Sequence, residues 1–160
     1  MTLLAKIVRH KPADLLLAAE ALVLLAFFRT CLALVPVRRT IRMVTRGHAG
    51  VRHGGDAGAA IRDAGAADAA GSAASMAVAV RVRWAVSAVG RHSMVEFACF
   101  PQTLAGYAML RRRKVPSTMA YGVARSPKGE LIAHTWLTVE DRIVLPSEGA
   151  GDFSPVERWT

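Results

Sequence analysis

The feature that most constrains the fold is an amphipathic helix stopped by a proline and followed by three short β-type segments. Leu104, Tyr107, Ala108 and Leu110 recur at helical spacing within Pro101–Arg113. Arg111, Arg112, Arg113 and Lys114 crowd its C-terminal end, where cations complement the helix dipole, and Pro116 stops it. Thr118–Ala124, Glu130–Val139 and Arg142–Leu145 then read as strands. Ser126-Pro127-Lys128-Gly129 and Glu140-Asp141 read as the turns between them. Such segments close as an antiparallel meander. Helices first and strands last make an α+β domain.

Upstream, Ala13–Leu34 reads as one long helix after Pro12, with Asp14 in its first turn and Pro36 at its end. Its apolar residues cover nearly every face, so burial between other elements is expected. Glu20 and Arg29 interrupt it, leaving an apolar run of eight residues, Ala21–Phe28, where a spanning helix needs about 20. Lys6, Arg9 and Lys11 give the basic start of a secretory signal, but Leu34-Val35-Pro36 is a poor cleavage site. A buried helix is the leading reading, and contact of this helix with a membrane surface is the alternative. Val37–Arg46 carries Arg38, Arg39, Arg42 and Arg46, read first as a solvated helix face.

Gly47–Ser75 holds seven of the 13 glycines and eleven alanines. Gly47–Gly58 is expected to be a loop, and an alanine-rich helix from Ala59 onward is expected to break near Gly65 and Gly71. Met76–Val89 fits a strand by alternation or a buried helix by bulk, and helix is preferred. The organisation is one domain overall: 1–46 helical, for packing or partner docking; 47–75 a Gly/Ala-rich loop and weak helix; 76–160 the core.

Chemistry concentrates in two residues. Cys99 opens the amphipathic helix, where unpaired backbone N–H groups and the dipole favour a thiolate and can receive an oxyanion. His134, in Ala133-His134-Thr135-Trp136, supplies a base on a strand that such a helix packs against. By spacing alone, an inert buried cysteine and a satisfied strand histidine remain alternatives. A hairpin turning at Glu140-Asp141 sets His134 opposite about Ser147, which makes Glu148 the nearest carboxylate and Asp152 the next. No spacing of cysteines and histidines suits a metal, and no glycine motif cradles a phosphate, so no cofactor is expected. A net charge of +9 favours anionic partners, yet aromatic interleaving is poor beyond Tyr107, so nucleic acid is not expected. Two cysteines exclude a disulfide scaffold and, with no export signal, point to the cytoplasm.

Four ordered stretches carry a resemblance: Cys99–Ala105, Met109–Arg113, Tyr121-Gly122-Val123 and Ala133–Leu137. Together they resemble the lasso-peptide leader peptidases, which are transglutaminase-like, papain-related cysteine peptidases. The resemblance implies N-terminal helices followed by a catalytic helix packed on a small antiparallel sheet. It implies Cys99 as nucleophile and His134 as general base, then as acid for the leaving amine. The family's third member is an Asp on the strand after the histidine strand. Here that strand reads Arg142–Glu148 without one, so Glu148 substitutes or the orienting group lies elsewhere. Implied partners are a lasso precursor peptide bound by its leader, a separate leader-recognition protein, and an ATP-dependent lasso cyclase. A catalytically silent module presenting the precursor is the second expectation.

Overall fold

Pro12 opens helix α1, Pro12–Leu34, and α2 follows as Val37–Thr45, with Pro36 between them unable to continue a helix. Then come β1 (Val51–His53), α3 (Ala66–His92), α4 (Cys99–Arg112), β2 (Thr118–Arg125), β3 (Leu131–Val139), β4 (Arg142–Leu145) and β5 (Ser154–Trp159). This computed structural model describes residues 12–45, 51–53, 66–92, 98–126, 128–146 and 153–159.

The sheet has the order β1-β5-β2-β3-β4, with every neighbouring pair antiparallel. β2, β3 and β4 form the expected meander. The Glu140-Asp141 turn adopts positive φ at both residues, 50° and 61°, as a two-residue hairpin turn requires. β5 was not expected as a strand and neither was β1, which falls inside the expected Gly47–Gly58 loop. β5 inserts between β1 and β2, so the last strand in the chain is central to its half of the sheet.

One face of the sheet carries the helices. Gly106 of α4 lies so close to Leu137 and Leu145 that it has no room for a β-carbon. α1 and α3 pack around α4, and Leu25, Val82, Val86, Leu104, Met109, Met119, Leu137 and Leu145 are fully enclosed among them. The opposite sheet face holds a smaller cluster of Ala120, Trp136 and Phe153.

Two expectations need correction. α3 runs unbroken through Gly71, because one glycine costs only about 1 kcal/mol amid strong helix formers such as alanine; Gly65 lies outside the described residues. α1 is not enclosed on all sides. Leu17, Ala21, Leu24, Leu25 and Phe28 are buried, while Leu16, Val23, Phe27 and Leu34 face outward. Two neighbouring helices cover one stripe of a 23-residue helix and leave the other bare.

The basic run at the end of α4 is structural. Arg112 and Arg113 both bind Glu20 of α1, at 3.0 and 2.6 Å, and Arg111 donates to the Val44 carbonyl of α2. Hydrogen bonds from Arg113, opposed by burial, hold the Glu20 carboxyl below its ordinary range. On α2, Arg38, Arg39 and Arg42 are exposed while Thr40, Ile41 and Val44 are buried, the arrangement of a solvated helix face.

Candidate active site

Cys99 is the first residue of α4, and the preceding Ala98 is extended, with no side-chain hydrogen bond capping the helix. The N–H groups of Cys99 and Phe100 therefore lack intrahelical partners, and Pro101 carries none. The helix continues past Pro101 because a first-turn proline removes no bond that would otherwise form. Cys99 and Cys31 are both partly buried free thiols.

A buried pair of threonines fixes this end of α4 on the sheet. The Thr103 hydroxyl donates to the Thr135 carbonyl at 3.2 Å, and the Thr135 hydroxyl lies 3.3 Å from Thr103 Oγ1. Cys99 is one turn before Thr103 on the same helix face. α4 and β3 run in the same sense, since Thr103 meets Thr135 and Gly106 meets Leu137. Four helical residues rise about 6 Å, the length of about two strand residues, which sets Cys99 level with Ala133 and His134.

The pleat divides β3. Thr135 and Leu137 turn toward α4, whereas His134 and Trp136 turn to the opposite face. There the imidazole stacks on Phe153, with centroids 5.0 Å apart and planes inclined by 29°, and lies 6.4 Å from the Trp136 ring. Its cross-strand partner is Gly122. A β-carbon at Gly122 would stand 2.7 Å from the Ser154 carbonyl oxygen and 2.7 Å from Trp136 Cη2, so glycine is what lets the Trp136 ring approach the backbone there.

This enclosure gives His134 its electrostatic character. Burial lowers its pKa from the ordinary 6.5, favouring the neutral ring. Nε2 is buried and has no hydrogen-bond partner among the described residues. Cys99 thus does not donate to Nε2: the two residues stand level along β3, but the imidazole turns to the sheet face away from α4.

The third group is a different matter. The β3–β4 register shifts by one residue between Leu137 and Thr138, so the constant pairing that places Ser147 opposite His134 does not hold. Ser147, Glu148 and Asp152 lie outside the described residues. Sequence reasoning missed Thr103, Gly122 and Phe153 as the groups that shape this site. The one signal for Phe153 was its rarity, in a chain only 6% aromatic.

No group of three or more His, Cys, Asp or Glu side chains placed to hold a metal occurs among the described residues. A cavity of about 640 Å³ opens at the far end of α4, lined by Tyr107, Arg111, Lys114, Glu140 and Asp141 among others. Burial, opposed by the Arg111 charge, raises the Tyr107 phenol there. Neither Cys99 nor His134 lines that cavity.

Residues 31–158 match the family model described as the transglutaminase-like superfamily. No curated protein and no solved structure matches the chain significantly.

Proposed function

The chain belongs to the transglutaminase-like superfamily, and we propose that it is a cysteine peptidase that removes the leader from a ribosomally synthesised lasso precursor peptide. The superfamily includes cysteine peptidases. The reading is supported by the Thr103–Thr135 anchor, which brings the Cys99 end of α4 level with His134 along β3, and by the buried His134 Nε2, which has no partner among the described residues. Lasso specificity rests on the four stretches between Cys99 and Leu137 that resemble the leader peptidases.

In this reading His134 Nε2 takes the Cys99 thiol proton, and the thiolate attacks the carbonyl carbon of the last leader residue. The resulting oxyanion is stabilised by the unpaired N–H groups of α4's first turn. The intermediate collapses with cleavage of the C–N bond, and the imidazolium gives its proton to the departing amine of the core peptide. Water, deprotonated by His134, then hydrolyses the Cys99 thioester, releasing the leader as a carboxylic acid and restoring the thiol. Glu148 orients and stabilises the imidazolium where the family uses an Asp. A small separate protein binds the leader, and an ATP-dependent cyclase closes the macrolactam on the freed amine. The reaction belongs to the cytoplasm and uses no cofactor.

The test is incubation of the full chain with its precursor and the recognition protein, following peptide mass. Separate leader and core masses support the reading. An intact precursor, with binding shown independently, favours the silent presenting module, a reading to which the absent Cys99–His134 hydrogen bond also speaks.

A further inference from the structure

α1 presents an apolar stripe that none of the described residues covers. Leu16, Val23, Phe27 and Leu34 recur at intervals of seven, four and seven residues, which draws one line along the helix. They are 73%, 67%, 47% and 78% exposed. Leu15 and Leu22 flank the line and are also exposed. The helix is long and apolar enough to cross a membrane, yet only 28% of its most apolar window is buried inside the fold. Exposed apolar surface over about 27 Å of helix marks a contact with something else.

The chemistry of the stripe indicates what. Both carboxylates of α1 are turned aside and neutralised, Asp14 by Arg81 and Glu20 by Arg112 and Arg113. Thr30, on the same side of the helix, spends its hydroxyl on the Ala26 carbonyl at 2.9 Å. A protein interface carries roughly one hydrogen bond per 100–200 Å², and along this stripe only the acceptor lone pairs of Thr30 Oγ1 remain to make one. Hydrocarbon makes no such demand. Where the stripe ends, α2 adds exposed Arg38, Arg39 and Arg42 beside exposed Val37 and Met43. Apolar groups next to a cluster of cations are the signature of a helix lying in an anionic lipid interface.

We propose that α1 and α2 dock this protein on the surface of an anionic bilayer, with α1 lying in the interface plane. The Leu16–Leu34 stripe enters the acyl boundary, and the α2 arginines meet the headgroups. This inference does not depend on the peptidase reading.

The test is co-sedimentation of the full chain with vesicles of equimolar phosphatidylcholine and phosphatidylglycerol, against vesicles of phosphatidylcholine alone. Binding to the mixed vesicles that weakens as salt rises is expected. A double Val23→Glu/Phe27→Glu variant, checked by circular dichroism and thermal melting, should bind about tenfold or more weakly. Replacing Arg38, Arg39 and Arg42 by Ala should remove the preference for the anionic vesicles and leave the fold intact. Absence of the wild-type protein from the pellet would overturn the proposal. So would equal binding by a folded double variant. A dimer in light scattering that the double variant abolishes, without vesicle binding, would assign the stripe to a second copy of the chain instead.

Discussion

The imidazole of His134 and the ring of Phe153 stack at 5.0 Å between centroids, on the sheet face opposite the helices. Phe153 immediately precedes β5, the strand least evident in the sequence, and helps exclude water from the proposed general base. Burial lowers the His134 pKa from 6.5, so the folded chain gives up this proton more readily than the unfolded one. The contribution of His134 to stability is therefore complete above about pH 6.5 and is lost as pH falls through the folded-state value. NMR titration of the His134 ring should give a midpoint below 6.5, and Phe153→Ala should move it upward. A midpoint unchanged by Phe153→Ala would show that the ring does not set the burial.

Gly122 and Gly71 predict opposite responses to the same change. Gly122→Ala forces a β-carbon against the Ser154 carbonyl and the Trp136 ring, and should destabilise by about 1–3 kcal/mol. Gly71 sits in α3 with nothing within 4 Å of the added carbon. Gly71→Ala should stabilise by about 0.5–1 kcal/mol, because alanine loses less backbone entropy in a helix. Urea midpoints of the two variants decide the matter.

In the proposed reaction Thr103 is a positioning residue that acts through Cys99. Thr103→Val keeps the shape, removes the hydroxyl that bonds Thr135, and should cost about 1–2 kcal/mol. It should also lower the leader-cleavage rate at saturating precursor. Thr103→Ser loses a buried methyl, about 1 kcal/mol, but keeps the bond and the rate. Equal rates for Val and Ser would reduce Thr103 to a purely structural role.

Much of this architecture was legible because its segments obey one period each. Leu104, Tyr107 and Leu110 repeat at helical spacing, and the β2–β4 strands are separated by residues that suit turns. β5 escaped because Ser154-Pro155-Val156-Glu157-Arg158-Trp159 holds a proline and two charges. Its strand state comes from pairing with β1 and β2. α1 misled for another reason. Apolar residues on all sides imply enclosure only where enough elements exist to enclose them. The sequence also placed a cysteine on a helix and a histidine on a strand. It did not reveal that the pleat turns Thr135, rather than His134, toward that helix.

Glu148 is the proposed third group, in place of the aspartate that the leader peptidases use. If it holds the imidazolium, Glu148→Gln should lower the cleavage rate on the order of tenfold or more, with little change in KM. An unchanged rate would exclude it and move attention to Asp152.

The central claim is that Cys99 carries the reaction, and the direct measurement compares wild-type and Cys99→Ala protein on the precursor with its recognition protein. Wild-type protein should split the precursor into leader and core. Cys99→Ala should be slower by on the order of 10³-fold or more, with an unchanged thermal melt and unchanged precursor binding. Leader removal at the wild-type rate by Cys99→Ala would contradict the account.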